Sequence, residues 1–202
     1  MPTPKRKRFQ IRQRQKRISG FKKARIKYIQ EGLKSLAEQR KKVGCNYRTL
    51  DQVEEEHLVK FQDVINRLKK RFPGKTIRVL DEGAGESSLA HELSQKGVSI
   101  VRSDLLERPF TDFAGEYHDK TPIYTLAKHF GKNKFHLIIS TFSGAYYAEK
   151  FAASCANIYT TLESGGEAFV IFSKVPYSKV YGVLNEMGIK YKRKGFSIRI
   201  FK

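Results

Sequence analysis

Apolar residues are scarce before Gly20, recur at helical spacing to about Phe72, and after Lys75 gather into short runs separated by amphipathic stretches. Phe21, Ile26, Ile29, Leu33, Leu36 and Ala37 predict a basic amphipathic helix over about 20–42. Gly44-Cys45-Asn46-Tyr47 interrupts it. Thr49-Leu50-Asp51-Gln52 then has the form of a capping box, with Thr as N-cap and Gln three residues on. Val53, His57, Phe61, Val64, Ile65, Leu68 and Phe72 form one apolar face up to Pro73-Gly74, so the spacing predicts a single helix over 49–72. His57 on that face reads as a packed or hydrogen-bonded residue rather than a ligand.

Beyond Lys75 the period changes. Thr76–Leu80 is a short β-rich run, and Leu89, Ala90 and Leu93 predict a helix of about ten residues stopping at Gly97. Val98–Val101 predicts a second strand ending at Ser103-Asp104, and Phe135–Ser140 another. A helix is expected from about Ala148 to Leu162, then a turn at Glu163-Ser164-Gly165-Gly166 and the apolar strand Ala168–Phe172. Tyr177–Met187 reads as helical. Ile189–Lys192 and Phe196–Phe201 close the chain as a hairpin across Lys194-Gly195. Near-continuous apolar strands alternating with helices argue for a mainly parallel sheet covered on both faces.

Composition narrows the class. The chain has 202 residues, enough for one domain with an appendage. With 40% apolar residues, 14 Phe and 10 Tyr it can bury a core, which excludes wholesale disorder. No apolar stretch approaches the roughly 20 residues of a spanning helix. Two Cys cannot build a disulfide framework, no Cys/His spacing suggests zinc, and no metal is expected. No leader-like apolar run follows Met1, so an intracellular location is expected, cytoplasmic by default and nuclear or organellar in a eukaryote.

The charge is concentrated. Residues 1–50 carry 17 Lys and Arg against only Glu31 and Glu38, whereas the whole chain has 40 against 20. An excess of this kind points to a polyanion, since each phosphate neutralised by Lys or Arg releases condensed counterions. Lys5, Arg6, Lys7, Arg8, Arg12, Arg14, Lys16 and Arg17 form an acid-free arm expected to grip RNA phosphates, joined by Lys22 and Lys23 at the start of the helix. A nuclear-import signal, a transit peptide or a solvated tail would share that composition. The helix after it suits RNA or an anionic membrane surface on one reading, and packing on the following domain on another.

The first strand ends in Asp81-Glu82-Gly83-Ala84-Gly85, and the second ends 23 residues later in Asp104. In open α/β sheets ligands bind at the carboxyl ends of the strands, where winding reverses. A glycine turn there lets backbone approach a ligand, and an acid ending the next strand accepts hydrogen bonds from ribose hydroxyls.

These residues, in this order, resemble the class I S-adenosylmethionine-dependent methyltransferases. Val79–Gly85 resembles that family's first motif. By that resemblance Asp81 contacts the amino-acid portion of S-adenosyl-L-methionine, while Gly83 and Gly85 make room for it. Asp104, with Leu105 beside it, takes the ribose position, and Asp119 the adenine region, where Asp112 also fits. Phe135–Ser143 resembles the fourth-strand motif, with Ser140 at its end, and Leu162-x-x-Gly165-Gly166 the fifth. The match spans about 52–202. It implies a Rossmann-like class I methyltransferase sheet, mostly parallel with a C-terminal antiparallel hairpin. A methyltransferase-like domain over 49–202 would then follow a basic arm and helix over 1–48. Ser87 stands where many members carry a third Gly. A dinucleotide-binding reading is less attractive, because Ser88 replaces the last Gly of Gly-x-Gly-x-x-Gly.

The resemblance also excludes. Ser140-Thr141-Phe142-Ser143 lacks the Pro-Pro-aromatic signature of amino-directed nucleic-acid enzymes. Cys45 precedes the domain and Cys155 falls in a predicted helix, so neither serves as the nucleophile of a cytosine C5 enzyme. Lys174 sits where ribose 2′-O enzymes carry their second Lys, but their fourth-strand Asp is missing. What remains is the loop Thr141–Tyr147. There Tyr146 and Tyr147, with Lys174, are the catalytic candidates, through stacking on a base or bonding the acceptor. The function expected is methyl transfer to RNA, structured or ribosomal. A catalytically inactive RNA-binding scaffold and a protein or small-molecule methyltransferase are the alternatives.

Overall fold

The computed structural model describes residues 23–24, 26–28, 48–84, 88–103, 117–119 (backbone only), 123, 126–142, 151–172 and 176–202. Seven strands form one sheet: β1 (Ile77–Glu82), β2 (Val98–Ser103), β3 (Tyr117–Asp119), β4 (Phe135–Ser140), β5 (Leu162–Ile171), β6 (Lys190–Lys194) and β7 (Ser197–Phe201). Their order is β3-β2-β1-β4-β5-β7-β6. β1 through β5 pair in parallel, while β7 runs antiparallel to β5 and to β6. The mostly parallel sheet with an antiparallel terminal hairpin is thus the architecture the strand pattern predicts. Winding reverses between β1 and β4, so a crevice opens at their carboxyl ends.

Among the described residues, helices with defined bounds are α1 (Leu50–His57), α2 (Phe61–Arg71), α3 (Leu89–Leu93), α4 (Leu126–His129), α5 (Phe151–Thr161) and α6 (Tyr177–Glu186). Strand residues alternate between two cores. Ile77 and Val79 pack under α1 to α3 with Phe61, Ile65 and Leu68, whereas Leu80 and Ile138 pack under α4 to α6 with Ile158 and Leu184. β4 is buried at every position, as expected of a central strand covered on both faces.

The helix expected over 49–72 is two helices. Its predicted N-terminus is present: the Thr49 side chain accepts from Gln52 N, and the Gln52 side chain accepts from Thr49 N. Leu58, however, adopts a left-handed conformation (φ 52°) and ends α1. Glu54 causes the break to hold, because its carboxylate accepts from Phe61 N at 2.7 Å and so caps α2 from inside α1. Four other elements differ, α4 being a helix that the sequence pattern does not predict. α3 has five residues rather than about ten. β3 has no counterpart in the sequence reading. β5 begins at Leu162, so Glu163–Gly166 lies within a strand rather than a turn. A register shift between Phe135 and Leu137 accommodates it, and at Gly166 a Cβ would stand 2.9 Å from the His136 carbonyl oxygen.

In the basic segment, residues 23–24 and 26–28 are helical. Ala24 and Tyr28 pack on the main core, and the Tyr28 hydroxyl donates to Glu186 at 2.7 Å. Ile26, expected on the apolar face, is instead 57% exposed, because the inward side is set by the i, i+4 pair Ala24 and Tyr28.

Candidate active site

The crevice begins with the turn after β1. Gly83 has φ 66°, a left-handed conformation that a glycine adopts without strain. The Gly83 and Ala84 amides both donate to the Ser103 carbonyl, at 2.7 and 3.0 Å, which fastens the turn to the end of β2. Asp81, one step before, is buried, and its register partner on β2 is the buried Arg102. A carboxylate and a guanidinium therefore share one sheet face at the mouth. The opposite face carries Glu82, also buried, which accepts from the Ser140 hydroxyl at 2.7 Å. This bond ties the ends of β1 and β4 together across the point where winding reverses.

The loop leaving β4 is held from three sides. Phe142 has φ 44°, a conformation costing a non-glycine residue about 1–2 kcal/mol, and such strain concentrates at functional sites. Arg48 lies over the Phe142 ring at 4.7 Å, and its guanidinium donates to the Thr141 carbonyl. The Arg48 carbonyl in turn accepts from the Ser88 amide at 2.9 Å, so one residue joins the β4 loop to the start of α3. His57 provides the third hold: Nε2 lies 2.7 Å from Thr141 Oγ1 and Nδ1 2.6 Å from Ser197 Oγ. It packs edge-on against Phe61 and Phe169. The expectation of a hydrogen-bonded core histidine is met.

Burial, followed by the Arg48 charge, pushes the His57 pKa from 6.5 down to about 3. The neutral ring in the folded state binds fewer protons than the unfolded chain between those values. Its contribution to stability is therefore complete above pH 6.5 and is lost as pH falls toward 3, at up to about 1.4 kcal/mol per pH unit. His57→Gln should flatten that dependence. Urea midpoints measured from about pH 7 down to about pH 4 in both proteins will check this, since equal slopes would show that the imidazole charges without penalty.

Among the residues expected at the site, Asp81, Gly83 and Ser140 converge at the carboxyl ends of β1 and β4. Asp119 ends β3 in register with Ser103, at the same edge of the sheet. Gly85, Asp104, Leu105, Tyr146, Tyr147 and Lys174 lie outside the described residues. So do Lys5, Arg6, Lys7, Arg8, Arg12, Arg14, Lys16, Arg17 and Lys22, whereas Lys23 is helical and exposed. Cys155 is buried, with its thiol pushed up to about 12 by burial, which removes it from nucleophilic chemistry at neutral pH. Thr141 begins the loop expected to face the acceptor, whereas Arg48, Glu82 and Arg102 are at the site without having been expected there. The only sequence signal was an acid at 82, inside the glycine motif. Among the described residues no group of three or more His, Cys, Asp or Glu could hold a metal ion, and no helix is long and apolar enough to cross a membrane.

Solved structures share this fold. The chain is similar to a TehB-like SAM-dependent methyltransferase from Corynebacterium glutamicum, with TM-score 0.52 and 19% identity, over 67% of this chain and 85% of that one. It is also similar to the MycE methyltransferase of the mycinamycin biosynthetic pathway, crystallised with Mg and SAH, with TM-score 0.54 and 12% identity. That match covers 79% of this chain and 55% of the other. The fold is the class I S-adenosylmethionine-dependent methyltransferase fold. No protein-family model matches the chain, and no curated protein does. The crevice fits an S-adenosylmethionine-type ligand, because Gly83 presents bare backbone at the switch point beside a buried carboxylate.

Proposed function

We propose that this protein is an S-adenosyl-L-methionine-dependent methyltransferase acting on RNA, structured or ribosomal, with the basic segment 1–48 gripping phosphates beside a catalytic domain over 49–202. One observation carries the reading: the left-handed Gly83 turn stands where β1 and β4 diverge, with Asp81 at its base. Asp81, Gly83 and Gly85 would hold the amino-acid portion of the methyl donor, Asp104 and Leu105 the ribose and its surroundings, Asp119 the adenine, and Ser140 the floor of the crevice.

When bound, S-adenosyl-L-methionine supplies an electrophilic methyl group on a sulfonium sulfur. The chain's part is to hold the acceptor in line with it, which can supply several kcal/mol by orientation alone. Arg48 and His57 keep the backbone at Thr141 and Phe142 in place, so the loop that continues to Tyr146 and Tyr147 starts from a fixed point. Those tyrosines would stack on the acceptor base, and Lys174 is the third catalytic candidate. Substrate choice rests on charge: 17 bases against two acids in the first 50 residues favour a polyphosphate over a neutral small molecule.

The test is incorporation of a labelled methyl group into total RNA by the full chain. Changing Lys5, Arg6, Lys7 and Arg8 to Ala should raise KM for RNA by about tenfold or more at physiological salt, with affinity for S-adenosyl-L-methionine unchanged. RNA binding without methyl incorporation would favour the scaffold alternative. Incorporation into protein or small molecules alone would move the substrate assignment.

A further inference from the structure

We propose that the tip of the β6–β7 hairpin is a second RNA-docking surface, which takes a single-stranded segment flanking the methylated nucleotide. The inference rests on the RNA reading above. Four of the five residues of β6 are basic, and Lys190, Lys192, Arg193 and Lys194 are all exposed. Lysines on an edge strand also prevent edge-to-edge pairing, which accounts for their charge but for nothing at the tip. There Phe196 is 63% exposed and Leu58, across from it, 47%.

The tip is fixed in place. The Tyr177 hydroxyl donates to the Phe196 carbonyl at 2.8 Å, Lys194 Nζ to the Leu58 carbonyl at 2.6 Å, and Arg193 Nε to the Gly195 carbonyl at 2.7 Å. The Arg193 guanidinium lies 4.1 Å over the Tyr177 ring. A phenyl ring presented to water on a backbone held by three hydrogen bonds loses little entropy when a base stacks on it.

Beside the tip a cavity of about 210 Å3 opens between α1 and the hairpin, lined by Leu58, Phe169, Lys192, Arg193 and Lys194 among others. Among the described residues no acid lines it, and none of Lys192, Arg193 and Lys194 has a carboxylate within ion-pair distance. Apolar walls beside the side chains of Lys192 and Lys194, with Arg193 on the other face of the hairpin over Tyr177, match a strand of bases and phosphates. The direction is also right. Ser197, next to Phe196, pairs with Ile171 at the carboxyl end of β5, on the same side of the sheet as Gly83 and Thr141. A single ring, His57, spans from Ser197 to Thr141 at the β4 loop. A strand lying on the tip therefore reaches the crevice directly.

The probe is a single-stranded RNA of about 12 nucleotides carrying 4-thiouridine, used with the full chain. Photocross-linking followed by peptide mass spectrometry should place adducts on the peptide holding Phe196. Phe196→Ala should weaken binding by about tenfold. Changing Lys192, Arg193 and Lys194 together to Gln should lower the slope of log K against log salt by about 2. Phe196→Ala, at an exposed position, should keep the wild-type melting temperature; the triple variant gives up the Lys194 and Arg193 bonds at the tip and should melt slightly lower, and both should keep the affinity for S-adenosyl-L-methionine. Cross-links confined to other peptides, with affinity and salt slope unchanged in both variants, overturn the surface while leaving the methyltransferase intact. A tip that binds an acidic protein and not RNA overturns it as well. If the wild type fails to bind S-adenosyl-L-methionine but the tip variants still lose RNA, the surface stands and the enzymatic reading falls.

Discussion

Gly83→Val should lower affinity for S-adenosyl-L-methionine by about a hundredfold, equivalent to about 2.7 kcal/mol, while the sheet stays folded. Two effects add. At φ 66° a β-branched side chain pays the left-handed penalty of roughly 1–2 kcal/mol, which the chain can relieve only by moving the turn. Such movement breaks the pair of amide bonds from Gly83 and Ala84 to the Ser103 carbonyl, and these hold the backbone at the crevice. The new side chain also stands where a ligand must approach bare backbone. Calorimetric titration with the cofactor, together with a thermal melt, separates lost binding from lost fold. Wild-type affinity in a folded variant would show that the turn is not the cofactor cradle.

The largest stability effect is expected at Glu167. This carboxylate on β5 is fully buried and receives three guanidinium groups. Arg67 and Arg71 reach it from successive turns of α2, both at 3.1 Å, and Arg199 reaches it from β7 at 2.7 Å. The cluster thereby fastens a helix and the antiparallel strand to the centre of the sheet. Glu167→Ala leaves three cations facing one another over an apolar layer. Because each guanidinium keeps some contact with water, the low end of the range for breaking a buried pair applies, about 3 kcal/mol. For a chain of this size that is a fall in Tm of roughly 9 °C.

Acid adds a second signature. Burial pushes the Glu167 pKa up, but the Arg67 hydrogen bond and the charges of Arg199 and Arg67 outweigh it and hold the group below its ordinary value. A depressed carboxyl gives stability that is present above the unfolded pKa and lost as pH falls through the folded one. The gap between wild type and Glu167→Ala should therefore be widest near neutral pH and shrink in acid. A constant gap across that range would mean the cluster acts by packing and not by charge.

The strands were readable because a parallel strand buried on both faces must be apolar throughout. Val79-Leu80, Leu137-Ile138-Ile139 and Ala168–Ile171 leave little alternative. The capping box at Thr49 and Gln52 was equally plain, being a local device with a fixed spacing. The break at Leu58 was hidden, since its cause is Glu54 bonding a backbone amide seven residues away. The first half of β5 has the sequence of a turn, because Ser164, Gly165 and Gly166 carry turn chemistry. The glycine at 166 instead answers the carbonyl of His136 on the neighbouring strand. β3, three residues long, falls below the length at which periodicity carries information.

At the site, Asp81 and Gly83 were legible because the glycine turn has a sequence form. Arg48 and Arg102 were not. Each is one base in a chain with 40, and only strand register and the closure of the β4 loop single them out. The pairing of Glu82 with Ser140 is of the same kind: 58 residues separate them, and the sheet makes them neighbours.

Everything above depends on the crevice between β1 and β4 holding a methyl donor. The most direct test is calorimetric titration of the wild-type chain with S-adenosyl-L-methionine and with its demethylated product. Saturable one-to-one binding of both ligands is expected, in the micromolar range or tighter. Absence of heat with either ligand, from a chain shown to be folded by its melt, would contradict it.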